Sequence, residues 1–168
     1  MSERITLNLP LAEVALDRDY LSRSRDSLFD ELESNPLTKV LVMFEQQVLL
    51  TADNELKFFS PATAPPAGLK VYLGKTIAKG EPIVLQIVEP THAAAIEPNS
   101  ERWHHLRRSG IGLSSTEAAI FTQGLALANW HESHRFCSSC GLETVVQKAG
   151  WVRFCESEAK EIYPRTDP

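Results

Sequence analysis

Cysteine is scarce in this chain, with three in 168 residues, which excludes the dense disulfide framework of a small secreted domain. Long apolar runs are missing as well. The longest, such as Val40-Leu-Val-Met-Phe44, are strand length and far short of the ~20 residues of a membrane-spanning helix, so no membrane role is expected. Positive charge does not dominate either: 17 Lys and Arg against 22 Asp and Glu leave a net charge of -5. That balance supplies no overall field to recruit nucleic acid or an anionic membrane. The opening Met1-Ser-Glu-Arg-Ile-Thr6 lacks a basic stretch followed by an apolar core, so no secretory signal is expected and a cytoplasmic, reducing location is the default. In that compartment the cysteines are expected to be free or metal-bound. No internal repeat is visible.

What is present suffices for one compact core and a small appendage, with 43% hydrophobic residues. Tyr20, Leu21, Leu28 and Leu32 among charged residues predict an amphipathic helix from about Asp19 to Ser34, ended by Asn35-Pro36. Lys39 to Glu45 and Gln47 to Leu50 read as two strands around a tight turn at Glu45-Gln46-Gln47. Ser60-Pro-Ala-Thr-Ala-Pro-Pro-Ala-Gly68 reads as a surface loop, because its prolines cannot donate to a ladder. Lys70 to Thr76 and Pro82 to Val88 predict a hairpin. The stretch from Thr91 to Gly112 reads as mostly irregular. Within it, Arg102-Trp-His-His-Leu-Arg-Arg108 is either a phosphate-contacting turn or an exposed basic one.

Ser114-Ser-Thr-Glu117 is a capping box, where a hydroxyl and a carboxylate satisfy the first free donors of a helix. That helix is expected to carry Ile120, Phe121, Leu125, Ala128 and Trp130 against the sheet. The expected class is α+β: a small, mostly antiparallel sheet with packed helices, then a zinc-ribbon-like knuckle. The corresponding divisions are 1–113, a connecting helix at 114–134, and 135–168.

The knuckle is Cys137-Ser-Ser-Cys140-Gly141 followed by Cys155-Glu-Ser-Glu158. Soft thiolates in a CxxC turn fit zinc, and so small a segment cannot bury enough apolar surface to hold itself together unaided. Glu158 stands where a fourth thiolate would complete the set. The candidate ligands are therefore Cys137, Cys140 and Cys155, with Glu158 or water as the fourth; the alternative is a decayed ribbon held by packing alone. His134 is a further, less favoured ligand. His131 and His134 read better as polar residues at a helix end, favoured there by the dipole when protonated.

Trp130-His-x-x-His-x-Phe-Cys-x-x-Cys-Gly141, then Gly150-Trp-Val-Arg153, then Cys155 and Tyr163-Pro-Arg-Thr-Asp-Pro168, resembles the NADH pyrophosphatases of the Nudix hydrolase superfamily. The likeness covers about Asn129 to Pro168, and the preceding sheet region is compatible with the family's N-terminal Nudix-like domain. In that family the second ligand pair is also CxxC, so Glu158 departs from the pattern. The resemblance implies a structural zinc, a homodimer, and a parent reaction in which NADH and water give reduced nicotinamide mononucleotide and AMP. It also implies possible action on NAD-capped RNA. Tyr163 matches the family's tyrosine after the last ligand, where a ring can stack on a base or nicotinamide face; the alternative is that it packs on Pro164 and Trp151 as ribbon core. Arg165 is either a phosphate contact or an exposed arginine.

The family's catalytic signature is Gly, five residues, Glu, seven residues, then Arg-Glu with further glutamates that hold Mg or Mn against the diphosphate. No glycine of this chain begins that pattern, so no catalytic residue is assigned. Family members continue from Asp-Pro into a catalytic Nudix domain. The expectation is thus an N-terminal and ribbon portion of an NAD(H) pyrophosphatase, inactive alone, with scaffold, dimerisation and substrate-flanking roles. The alternative is a stand-alone zinc-ribbon module binding a protein or RNA partner.

Overall fold

The computed structural model describes residues 15–164. In chain order its elements are β1 (Leu16–Asp17), a 3-10 turn (Tyr20–Ser24), α1 (Leu28–Ser34), β2 (Lys39–Phe44), β3 (Gln47–Leu49) and β4 (Phe58–Phe59). There follow β5 (Leu69–Thr76), β6 (Pro82–Ile87), α2 (Pro90–Ile96), β7 (Trp103–His105), α3 (Leu106–Ser109) and α4 (Ser115–Ser133). The chain closes with β8 (Val145–Gln147), β9 (Val152–Cys155) and β10 (Lys160–Ile162). The α+β class holds, with a seven-stranded sheet in the order β1-β5-β6-β2-β3-β7, β4 lying on β2, and a separate three-stranded sheet β10-β9-β8.

Every pairing in the larger sheet is antiparallel except β2 with β6, which runs parallel from Lys39↔Ile83 to Met43↔Ile87. β3 and β4 both lie antiparallel to β2, at Met43↔Val48 and Val40↔Phe59 respectively, with an excursion closed by a Leu50↔Leu56 bridge between them. The turn between β2 and β3 places Glu45 and Gln46 at φ 46 and 65, the left-handed pair that matches strand twist in a two-residue hairpin.

Alternation assigns the two faces. Leu41, Met43, Val71, Leu73, Ile83 and Leu85 point to the side covered by Ile120, Phe121 and Leu127 of α4. Val40 and Val42 point the other way, into a cluster with Ala93 and Trp103, while Tyr72 and Val84 meet Leu28 and Leu32 of α1. Helices on both faces explain why β2 reads as an unbroken apolar run. Each such fully buried side chain contributes about 1.5–3 kcal/mol.

α4 begins as expected, with Ser114 and Glu117 forming a reciprocal capping box, and Glu117 also accepts from the Leu56 backbone N–H at 2.7 Å. Two expectations fail. The single helix from Asp19 to Ser34 is instead a 3-10 turn and a short helix, because Asp19 is left-handed at φ 41 and Arg25 is extended. Tyr20 and Leu21 are accordingly 70% and 74% exposed and belong to no helical stripe. The stretch from Thr91 to Gly112 is not mostly irregular: it holds α2, β7 and α3, and Trp103 is buried where β7 extends the sheet beside β3.

Candidate metal centre

The CxxC turn folds on its own backbone bonds. Gly141 N–H donates to Cys137 O at 2.8 Å, Cys137 N–H donates to Leu142 O at 2.8 Å, and Ser139 N–H reaches Cys137 Sγ at 3.4 Å. Gly141 takes φ 75, a left-handed position that costs glycine nothing and turns the chain back under the sulfurs. The antiparallel pair β9–β10 then returns Cys155 beside this turn.

The three Sγ atoms lie within 4.8 Å of one another, and Cys140 and Cys155 are 3.5 Å apart. A tetrahedral zinc with Zn–S bonds of about 2.3 Å would set its sulfurs about 3.8 Å apart, so the cluster fits three corners of a zinc site. Cys137 and Cys155 are buried and Cys140 is partly so. Backbone N–H groups of Cys140 and Ser139 pull the Cys137 thiol down to about 7. Burial pushes the Cys155 thiol up, opposed by the backbone N–H of Glu158. Zinc bound here would take these three sulfurs as thiolates and pin the turn to the strand pair.

Among the described residues, the ligand atoms that converge are those three sulfurs. The Glu158 side chain is exposed, and its residue serves the cluster through the backbone. His134 is also outside it, with Nδ1 2.9 Å from Ser133 Oγ and 3.2 Å from Trp130 O.

His131 overturns its expected role. It is buried rather than a protonated helix-end residue, and burial beside the Arg153 guanidinium drops its pKa to about 4. The neutral ring bridges two regions: Nε2–H donates to Gly150 O at 2.8 Å, and Nδ1 accepts from Arg153 Nη1 at 3.1 Å. Arg153, also buried, donates through Nε to Thr144 Oγ1 at 2.6 Å and through Nη2 to Thr144 O at 3.0 Å. One guanidinium therefore ties α4, the loop before β8, and β9 together through neutral acceptors.

The ribbon is not freestanding. Trp151 belongs to the core under α4, and its Nε1–H donates to Tyr72 O at 2.6 Å. Gly150 sits against β5 at φ 88, where a Cβ would come within 2.8 Å of Val71; any side chain there would lift the indole off its seat. Arg23 lies 3.6 Å over the Trp151 ring, closing the junction from outside. Sequence spacing alone could not show this, because His131 and Trp151 find their partners 19 to 79 residues away.

Tyr163 does not pack as ribbon core: it is 53% exposed, hydrogen-bonded to Glu161, with Lys148 Nζ 5.9 Å from its ring centroid. Arg165 lies outside the described residues. The basic turn places His105 and Arg108 in a surface groove of about 480 Å³ with Gln47, Ser100 and Glu101.

Residues 132–163 match the family model described as the NADH pyrophosphatase zinc ribbon domain. The chain is 43% identical over 54 residues to Nudix hydrolase 19, chloroplastic, of Arabidopsis thaliana, covering 31% of this chain and 12% of that protein. It is 29% identical over 90 residues to an NAD-capped RNA hydrolase of Pseudomonas syringae pv. syringae, covering 54% of this chain and 31% of that one. A mitochondrial NAD(P)H pyrophosphatase of Homo sapiens is 35% identical over 63 residues, covering 38% of this chain and 18% of the relative. The chain thus spans less than a third of each of these relatives, and what it shares with them includes an NADH-pyrophosphatase-type zinc ribbon. Among the described residues no helix is long and apolar enough to cross a membrane.

Proposed function

We propose that these residues form the scaffold and ribbon portion of an NAD(H) pyrophosphatase, with structural zinc on Cys137, Cys140 and Cys155 and either solvent or Glu158 in the fourth position. The observation that supports this most is the convergence of three sulfurs within the segment that matches the family's ribbon. The parent reaction is cleavage of NADH by water to reduced nicotinamide mononucleotide and AMP. NAD-capped RNA is a second substrate class, suggested by the name of the bacterial relative. The Mg- or Mn-binding glutamates belong to a Nudix domain outside these 168 residues, and the active assembly is a homodimer in the cytoplasm. Tyr163 flanks the substrate: its ring is exposed and lies beside Lys148, which is paired with Glu161, so one ring face can stack on a planar base.

The test is zinc analysis of the purified chain together with an NADH hydrolysis assay. One zinc per chain, lost in Cys137→Ser, and no turnover are expected. Turnover surviving stringent purification would sink the assignment of catalysis to another domain, and metal-free folded protein would leave a ribbon held by packing.

A second reading, a binding module for a protein partner, is favoured by one observation. Phe136, Leu142, Val145 and Val146, in and before the edge strand β8, are 40% to 57% exposed, apolar side chains that a protein partner could cover. Native abundance of the isolated chain in complex with a protein would support it.

A further inference from the structure

The sheet face opposite α4 is incompletely covered. Between α1 and the proline-rich loop lies a cleft of about 360 Å³, within the range of small-molecule sites, roughly 300–1,000 Å³. Its floor follows from strand alternation. Val40, Val84, Gln86 and Lys70 share one face through the pairings Val40↔Val84 and Lys70↔Gln86, and Thr38 enters just ahead of β2. Phe29 and Leu32 of α1 form one wall; Ala64, Pro65 and Pro66 form the other.

Apart from Lys70, which reaches the rim, two polar side chains of this floor, Thr38 and Gln86, have no account in the fold. Thr38 is 3% exposed and Gln86 7% exposed, and neither Thr38 Oγ1 nor Gln86 Oε1 has a hydrogen-bond partner among the described residues. Buried polar atoms are ordinarily paired, so two orphans on one cleft call for a partner from outside the chain. Both oxygens are sealed in the floor. The Gln86 carboxamide turns about a broad terminal torsion, so a group seated on the floor can engage it at little conformational cost. At the rim Lys70 Nζ is paired with Glu33 Oε1 at 2.5 Å, which leaves the entrance without free charge.

We propose that this cleft binds an uncharged, planar heteroaromatic group presenting an N–H donor next to an acceptor, as an aminopurine or a ring carboxamide does. On binding, rotation of the Gln86 carboxamide and of Thr38 about χ1 turns both groups into the cleft, where Gln86 Oε1 accepts from the N–H, the Thr38 hydroxyl donates to the neighbouring acceptor, and the proline and phenylalanine walls cover the ring faces. The site shares no residue with the thiolate cluster and stands whether or not the ribbon reading does.

The zinc-loaded full chain is titrated with adenosine in one arm and nicotinamide, whose ring is uncharged, in another, followed by amide NMR, with benzene as an apolar control. Saturable shifts at Thr38, Gln86 and Ala64 are expected with at least one of the two heteroaromatics and not with benzene. Gln86→Leu and Thr38→Val should each weaken binding at least tenfold while the spectrum remains folded. Ala64→Phe, which fills the cleft from the loop, keeps the test decisive if a floor variant fails to fold. The arm that saturates identifies the source of the edge. Absence of saturable shifts with both adenosine and nicotinamide, binding unchanged in all three variants, or ordered water alone satisfying the two oxygens would overturn the proposal.

Discussion

In the seven-stranded sheet, side chains such as Leu41, Met43, Leu85 and Phe121 are wholly buried, and stability is spread over many apolar contacts on two faces. In the three-stranded ribbon sheet, every residue of β8 is exposed, and order rests on three converging cysteines, one buried guanidinium, one neutral imidazole and one indole. A region held by distributed area tolerates single losses, whereas one held by a few directional contacts loses its structure when one is removed. The two are nevertheless joined, since Trp151 is part of the larger core.

The strongest way to break this contrast is to remove a thiolate. With zinc bound as proposed, Cys137→Ser or chelation would remove a metal contribution that in zinc-finger peptides amounts to about 10–16 kcal/mol. Amide hydrogen exchange should then show lost protection across β9 and β10 while β2 and β6 keep theirs. Equal loss in both sheets would show a single cooperative unit and erase the distinction. Trp151→Ala comes next: it empties a site in the larger core and should cost about 3–5 kcal/mol in urea unfolding, unlike any change confined to the ribbon surface.

His131 sharpens the comparison through pH. Its folded pKa of about 4 lies below its ordinary 6.5, so between those values the unfolded chain binds the proton more readily. The contribution is fully present above pH 6.5 and is lost as pH falls towards 4, amounting to about 3 kcal/mol. His131→Gln should flatten that part of the stability profile relative to the unaltered chain; an unchanged slope would remove His131 from the junction. The smallest effect is expected from Glu158→Gln, because the residue meets Cys155 through its backbone N–H. Zinc stoichiometry should stay at one per chain, with far less loss of affinity than in Cys137→Ser. Release of the metal would instead make the Glu158 carboxylate the fourth ligand.

Features set by near neighbours were legible in the sequence. The Ser114–Glu117 box, the Glu45-Gln46 turn, the loop of prolines and the CxxC knuckle each depend on residues a few positions apart. The failures share the opposite property. His131 looked like a helix-end cation because its burial is created by Gly150 and Arg153, which only the fold brings near. Trp103 and β7 were hidden because their pairing partner is β3, far back in the chain. The Asp19 kink carries no glycine to announce it; its carboxylate instead accepts from Tyr72 Oη at 2.9 Å and pairs with Lys75. Thr38 and Gln86 gave no signal either, since a lone polar residue in an apolar strand reveals its missing partner only once the neighbours are known.

The indole of Trp151 and its seat on Tyr72 are 79 residues apart, close to half the length of the chain, and synthesis runs from the seat towards the indole. On the ribosome the receiving surface therefore emerges well before the group that docks on it, and Cys155 emerges later still. Metal capture at the proposed zinc site would then follow on a platform that has already had time to form.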